Sequence, residues 1–233
     1  MTADTERAGE VEMTTADAGV TQLGPPERVS AVEAIDEFRR GRPVVIVDDE
    51  GRENEGDLCI PAQFITAEMI AFMTTRARGM VCVAMAGERL DAMNVPLMTG
   101  RNTSPLSKQF TVSVEARDGI SSGASAPDRA RTIQVLVRPD STPEQLTRPG
   151  HIFPIRARDG GVLVRAGHTE ASVDLARLAG CTPAAVICEM LQEDGSVAGI
   201  PDLIAFAREH DIKIVTVNDV IAHRLRTDTL IER

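Results

Sequence analysis

The sequence has few aromatic residues. Of its 233 residues, 3% are aromatic, and the chain contains neither tryptophan nor tyrosine. Such a chain has few side chains on which single-stranded nucleic acid could stack. Its formal net charge of −10 is also unfavourable for binding a phosphate backbone. We therefore expect no nucleic-acid partner, and because 42% of the residues are hydrophobic we expect an aliphatic core.

Cysteines and long apolar runs are also scarce. The four cysteines, Cys59, Cys82, Cys181 and Cys188, show no CxxC spacing, which argues against a zinc ribbon or a redox dithiol. Reduced thiols are typical of the cytosol. No apolar run is long enough to span a membrane, and the N-terminus lacks the basic-then-apolar layout of a signal peptide. We expect a cytoplasmic protein with no membrane partner.

The composition predicts one domain with a tail at each end. Residues 1–26 lack apolar periodicity and are predicted to be a disordered acidic tail. Residues 1–28 hold six acidic and two basic residues and so contribute −4 of the net charge. We assign residues 27–226 to a single domain and residues 227–233 to a C-terminal tail.

Apolar periodicity predicts helices and strands that alternate irregularly, with helices packed on both faces of a mixed sheet. The predicted helices follow the Ser30–Glu33 capping box up to Gly41 and cover 66–78, 125–137, 169–179, 201–210 and 219–226. The predicted strands cover 44–47, 81–85, 111–115, 184–188 and 212–217.

An acidic segment, Asp48–Asp57, directly follows the apolar run Val44–Val47 and holds six carboxylates in ten residues. A solvated turn is one interpretation. A functional site is the stronger one, because α/β sheets place ligands at the ends of buried strands and Mg²⁺ prefers carboxylate oxygens. Arg52, within this segment, could bind a phosphate or orient a carboxylate. The spacing does not fit an EF-hand.

Three further segments contain candidate functional residues. Arg165–Glu170 opens a predicted helix, whose free N–H groups would suit a phosphate, although Thr169 could simply cap that helix. His151 follows a Pro-Gly pair that is expected to form a turn, and an imidazole there could transfer protons or merely be exposed. Glu189 follows an apolar strand, and burial could raise its pKa for acid–base chemistry unless it already lies in water.

Together these segments resemble one family, the 3,4-dihydroxy-2-butanone 4-phosphate synthases of riboflavin biosynthesis. The matching stretches, in order along residues 28–225, are Asp48–Asp57, Asn102–Ser104, Phe110–Val112, Ser125–Arg129, Arg148–His151, Gly167–Ala171 and Cys188–Glu189.

The resemblance implies a fold, a reaction and a set of site residues. The fold would be α+β, a three-layer α/β/α sandwich with a mixed central sheet, in a homodimer with active sites at the interface. The reaction would convert D-ribulose 5-phosphate into L-3,4-dihydroxy-2-butanone 4-phosphate and formate, using Mg²⁺ or Mn²⁺, two ions per site. By the same resemblance the metal ligands would be Glu53 and His168; the catalytic residues His151, Glu189 and Asp57; and the substrate-binding residues Arg52, Glu53, Asp57, Arg165, Ala166, Gly167, His168, Thr169 and Glu189.

The sequence departs from this family at two places. Lys108-Gln109 stands where the family usually has a small pair such as Thr-Ala, and Ser121-Ser122 stands where two threonines are usual. A specialised paralogue acting on the same or a related sugar phosphate, or an inactive sugar-phosphate-binding protein, is therefore an alternative. The cysteine cluster of GTP cyclohydrolase II, a common fusion partner, is absent. We expect a single activity, although a piece of such a fusion would have the same sequence.

Overall fold

The computed structural model describes residues 28–49 and 51–228. The predicted N-terminal tail, Glu50 and most of the predicted C-terminal tail lie outside these residues. Within them, no helix combines the length and the apolarity needed to cross a membrane.

Seven α-helices lie in the described part of the chain. Ser30 begins the first one with the predicted capping box, in which its hydroxyl accepts the N–H of Glu33. The helices are α1 (Ala31–Arg39), α2 (Ala67–Phe72), α3 (Gly87–Ala92), α4 (Ala126–Val137), α5 (His168–Leu178), α6 (Ile200–His210) and α7 (Val217–Thr227).

Seven strands of the described residues form one mixed sheet. They are β1 (Val44–Val47), β2 (Gly56–Pro61), β3 (Arg78–Met85), β4 (Val114–Ala116), β5 (Leu146–Arg156), β6 (Ala184–Met190) and β7 (Lys213–Thr216). Their order across the sheet is β4-β5-β3-β6-β2-β1-β7. The pairs β1–β7 and β3–β5 are parallel, and the other neighbours are antiparallel.

The helices form two layers, one on each face of the sheet. Alternate strand residues point to opposite faces, so Val45 packs into one core with α2, α4 and α6. Its neighbours Val44 and Ile46 pack into a second core with α1, α5 and α7. Both faces of the central strands are thus covered by apolar side chains, which agrees with the predicted three-layer α/β/α sandwich.

Three predicted boundaries were wrong. The helix predicted for 66–78 is α2 followed by a wider turn, Met73–Ala77, and Arg78 leaves it in the left-handed region with φ 68°. Only the end of the segment predicted as a strand at 111–115 belongs to β4. Pro149-Gly150, predicted as a turn, lies inside the eleven-residue strand β5.

Glycine and proline caused the error in β5, because both are unfavourable in strand interiors. Here Gly150 has a specific role: a Cβ at this position would collide with the backbone of Val114 on β4. The pairing of β4 with β5 also shifts register between Val114 and Glu115. The glycine therefore permits a close approach of two strands rather than a change of chain direction.

Candidate active site

The acidic segment connects two adjacent antiparallel strands. Val47, the last residue of β1, pairs with Gly56, the first residue of β2, so the segment closes a hairpin between two interior strands of the sheet. The N–H of Asp48 bonds the carbonyl of Glu55 at 3.3 Å. Gly56 is needed here because a Cβ would lie 2.5 Å from a methyl group of Leu203. The hairpin places the carboxylates of Asp48, Glu53 and Asp57 at the end of the sheet.

Asp48 organises this hairpin loop from inside. It is 2% exposed. One carboxylate oxygen accepts the N–H of Glu55 at 3.0 Å, and the other accepts the N–H of Glu53 at 3.2 Å and Nη1 of Arg52 at 2.6 Å. A buried carboxylate with several charge-assisted hydrogen bonds fixes the backbone around it. Asp48 thus orients the neighbouring Arg52 and Glu53 side chains.

Glu53 lies between two cations. Its Oε2 is 2.6 Å from Nη1 of Arg52, and its Oε1 is 2.6 Å from Nζ of Lys108. Burial disfavours the ionised form, but the hydrogen bond from Lys108 and the charge of Arg52 outweigh it and lower the pKa of Glu53. Burial likewise opposes protonation of Lys108, but its bond to Glu53 outweighs this and raises the pKa of the ammonium. Both groups are therefore charged at neutral pH.

The N-terminus of α5 faces the same loop. His168, the first residue of α5, is 6% exposed, and its Nε2 lies 3.2 Å from the carbonyl oxygen of Glu55 and 3.9 Å from Oδ1 of Asp48. The predicted start of this helix was correct to within one residue, but Gly167 rather than Thr169 is the N-cap. The first N–H groups of a helix have no partner within the helix and favour an anion.

Two arginines flank this helix end. A Cβ at Gly167 would touch the guanidinium of Arg165 and would lie 3.0 Å from Nη2 of Arg52. Arg165 is held by Oε2 of Glu170 at 2.6 Å and by the carbonyl of Leu106 at 3.1 Å. The missing side chain leaves a cradle with two guanidinium groups beside the helix N-terminus. Such an arrangement fits a phosphate monoester.

Two carboxylates enter from the sheet itself. Asp57 on β2 is the direct antiparallel partner of Glu189 on β6. Burial, only partly offset by the charges of His168 and Lys108, raises the pKa of Asp57. Burial and the charge of Asp57 raise the pKa of Glu189, as predicted from its position after an apolar strand. Two neighbouring carboxyl groups with raised pKa values are suited to proton transfer.

Most of these groups line one cleft, and Asp48 and Gly167 lie next to its lining residues. Four carboxylates and three cationic side chains surround it, with an apolar wall. The lining residues are Arg52, Glu53, Glu55, Asp57, Lys108, Phe110, Ile155, Arg165, His168, Thr169, Ile187 and Glu189. The structure therefore brings together predicted residues that lie up to 137 positions apart in the chain, from Arg52 to Glu189.

A divalent cation fits the donor set at one side of this cleft. Asp48, Glu53 and His168 each offer one ligand atom, and these atoms lie within 4.8 Å of one another. Ligands about 2.1 Å from Mg²⁺ in an octahedron are about 3 to 4 Å apart, so small side-chain rotations suffice. Two carboxylates and one imidazole suit Mg²⁺ or Mn²⁺ better than a soft ion.

His151 lies apart from the other predicted residues. Its Nδ1 is 2.6 Å from Oε1 of Glu115 on β4, and about half of its side chain is exposed. The nearest cleft residue on the same strand is Ile155, four positions and therefore about 13 Å further along. Within one chain, His151 does not reach the cleft.

Sequence reasoning identified Lys108 as a departure from the family but did not predict its contact with Glu53. Its contact with Glu53 crosses 55 positions of sequence, and no local pattern reports such a contact. One signal was available: the chain has 25 basic residues, but only Lys108 and Lys213 are lysines. Of these two, only Lys108 also departs from the family pattern.

Comparison with known proteins gives a consistent result. The pattern of the family described as 3,4-dihydroxy-2-butanone 4-phosphate synthase matches residues 32–223. A synthase of that name from Agrobacterium fabrum is 52% identical over 191 residues, which cover 82% of this chain and 90% of that protein. The chain belongs to the 3,4-dihydroxy-2-butanone 4-phosphate synthase family.

Solved structures of synthases in this family share the fold. One, in complex with two magnesium ions, has a TM-score of 0.82 and 41% identity, and the match covers 85% of this chain and 98% of that one. Among other synthase-family relatives, the riboflavin biosynthesis protein RibBA of Synechocystis is 52% identical over 202 residues. These residues are 86% of this chain but 36% of RibBA, and the chain spans about half the length of several other curated relatives.

Proposed function

We propose that this protein is a lyase that converts D-ribulose 5-phosphate into L-3,4-dihydroxy-2-butanone 4-phosphate and formate for riboflavin biosynthesis. The observation that carries the proposal is the single cleft that combines a cation site, a phosphate cradle and two carboxyl groups with raised pKa values. Family membership supports the same reaction. We infer a cytoplasmic location from the reduced cysteines and from the biosynthetic role.

Glu53 and His168 would hold the divalent metal, Mg²⁺ or Mn²⁺, with Asp48 adding negative charge behind them. When bound, the metal would supply Lewis-acid polarisation of neighbouring sugar oxygens. A relative was solved in complex with two magnesium ions, and we propose two ions per site for this protein. Arg52, Arg165 and the first turn of α5, from Gly167 to Thr169, would bind the phosphate. The binding energy of the remote phosphate would position the reacting carbons.

Asp57 and Glu189 would move the protons. The ionised member of the pair would take the proton from the carbon beside the ketone, and the protonated member would give a proton to the C1 hydroxyl as it leaves as water. A skeletal shift and the return of water would then release C4 as formate. Loss of formate balances the five-carbon substrate against the four-carbon product. Phe110, Ile155 and Ile187 would exclude bulk water from one side of the cleft.

His151 would act from a second copy of the chain. Because it lies on β5 away from its own cleft, we propose a homodimer in which each active site receives His151 from the partner subunit. The exposed side chains Leu97, Met98 and Leu106 on the loop before Lys108 would provide apolar surface for this interface. Dimers with one two-fold axis create two identical sites of this kind.

The decisive experiment measures formate from ribulose 5-phosphate with Mg²⁺, with Mn²⁺ and with excess chelator. We expect release that needs the metal and that Glu53→Gln and His168→Ala abolish while the circular dichroism spectrum is retained. Full turnover in chelator would exclude the metal-dependent lyase. Binding of ribulose 5-phosphate without formate would favour the inactive binding protein, and faster turnover of another sugar phosphate would favour the paralogue.

A further inference from the structure

Lys108 lies in the cleft and places a positive charge next to a proposed metal ligand. Its Nζ is 2.6 Å from Oε1 of Glu53, the carboxylate that would also bind a divalent cation. Side-chain exposure is 30% for Lys108 and 11% for Glu53, so the pair is partly shielded from solvent. The opposite oxygen of Glu53 already accepts Arg52. Both oxygens of this carboxylate are therefore engaged by cationic side chains.

The backbone of Lys108 is held in place. Its carbonyl accepts Nδ2 of Asn102 at 2.8 Å, and the carbonyl of Gln109 accepts the N–H of Arg156 at 2.9 Å. Phe110 then pairs with Ile155 on β5. The ammonium is thus presented to the cleft from a fixed point, at the end of a flexible four-carbon stem.

The two side chains that bind Glu53, Arg52 and Lys108, differ in how easily a metal ion could displace them from its carboxylate. Arg52 also binds Asp48 at 2.6 Å, so a buried carboxylate and a half-buried one, Glu53, together hold its guanidinium. Among the described residues, the Lys108 ammonium forms one ion pair, with Glu53, and an ammonium is a compact point charge that water solvates strongly. A divalent ion that approaches Glu53 would meet the Lys108 ammonium at Oε1.

We propose that the Lys108 ammonium is a tethered counter-cation that competes with the divalent metal for Oε1 of Glu53 and thereby lowers the metal affinity of the cleft. This inference rests on the proposed metal-dependent function. It adds a determinant of how tightly the site binds its metal. In the absence of metal, the ammonium would neutralise part of the charge of Glu53, Glu55, Asp57 and Glu189 and keep Glu53 oriented.

The experiment is a Mn²⁺ titration of the full chain, in which the free ion is measured by electron paramagnetic resonance and no substrate is present. Lys108→Met removes the charge and keeps most of the side-chain volume, and we expect it to bind Mn²⁺ about tenfold more tightly than the wild type. Lys108→Arg retains a cation and should bind no more tightly than the wild type. The matched control is Lys213→Met, at the end of β7 that pairs with Val44, away from Asp48.

Each outcome has one interpretation. Equal Mn²⁺ affinity of the wild type and folded Lys108→Met would overturn the inference about Lys108 and leave the metal site intact. Equal tightening by Lys213→Met would also overturn it, because net charge alone would then explain the effect. No binding by either the wild type or folded Lys108→Met would overturn the metal assignment as well. Circular dichroism of each variant, and of Lys108→Gln as a second neutral variant, monitors the fold.

Discussion

Asp57 and Glu189 are direct partners on adjacent antiparallel strands, and both have raised pKa values. Side chains of directly opposed residues leave a sheet on the same face and lie close together. The two carboxyl groups therefore interact, and the charge of Asp57 makes ionisation of Glu189 less favourable. Their close approach lets one carboxyl group retain a proton under conditions in which an isolated carboxyl group would be ionised.

Removal of the Glu189 carboxyl group should abolish proton transfer but not metal binding. We expect Glu189→Gln to lower kcat by about 100-fold or more, the usual effect of losing a general acid–base group. Formate release under saturating metal and substrate measures kcat. A Mn²⁺ titration should give the wild-type affinity, because Glu189 is not among the proposed ligands. A kcat within twofold of the wild type would show that Glu189 has no essential role.

The pH dependence should follow the raised pKa of Glu189. If the ionised form acts as the base, activity is present above this pKa and is lost as the pH falls through it, so the acidic limb lies above about 4.3, the value of an ordinary glutamate. Glu55 contributes to the raised pKa of Glu189. Glu55→Gln should therefore move the acidic limb of the kcat/KM profile to lower pH.

Asp118→Asn provides the control for this shift, because Asp118 is an exposed acid in the loop after β4. It removes the same charge without approaching the cleft and should leave the profile in place. Identical profiles for Glu55→Gln and the wild type would contradict the assignment of the limb to Glu189.

Asp57 should destabilise the metal-free protein at neutral pH. Burial raises its pKa above that of the unfolded chain, so its contribution to folding is most favourable below about 3.9 and is lost as the pH rises through the raised value. At pH 7.5 without metal, Asp57→Asn should raise Tm by about 2 to 4 °C, which corresponds to about 1 kcal/mol. At pH 4 the gain should shrink. Calorimetry in chelator measures both, and a lower Tm at pH 7.5 would contradict the prediction.

Gly167→Ala should weaken phosphate binding. The added Cβ would contact the guanidinium groups of Arg52 and Arg165, but the φ of −130° at this position is open to alanine. We expect KM for ribulose 5-phosphate to rise about tenfold, equivalent to one 1.4 kcal/mol interaction, while Tm changes little. Gly100→Ala is the matched control, because nothing lies within 4 Å of a Cβ there. An unchanged KM for Gly167→Ala would remove this cradle from the binding site.

Mixed dimers should restore activity to two inactive variants. If each site combines Glu189 of one chain with His151 of the other, a dimer of His151→Asn and Glu189→Gln chains contains one intact site. Random mixing should then give about a quarter of wild-type activity. Formate release after co-refolding measures this. Activity that remains at the level of the separate variants would show that the two residues do not share a site across an interface.

The sequence was most informative where residues act locally. The carboxylates of the acidic segment and the start of α5 follow from short-range patterns, because hairpin loops and helix N-termini depend on neighbouring residues. Even there, the pattern did not distinguish Asp48 from the other five acids of the segment, although Asp48 is the one that holds the loop backbone in place. Its role depends on hydrogen bonds to backbone groups five and seven positions later.

The sequence was least informative about the sheet. The strand β2 was not predicted, because Asp57 and Pro61 interrupt its apolar pattern. Asp57 belongs to the strand because it pairs with Glu189 on β6. A turn was predicted at Pro149-Gly150, where the structure has the interior of strand β5. Both errors arise because strand pairing is a long-range property, and a polar residue or a glycine in a strand is explained only by its partner.

Gly167 and His168 are consecutive residues, so the phosphate cradle and one proposed metal ligand share a single peptide unit. Consecutive Cα atoms are about 3.8 Å apart, and this distance cannot stretch. The start of α5 would therefore act as a molecular ruler between the two ends of a ligand. A sugar phosphate with one carbon more or fewer could not place its phosphate in the cradle and its chelating oxygens at the metal at the same time. The fixed distance would therefore select substrates by the length of their carbon chain.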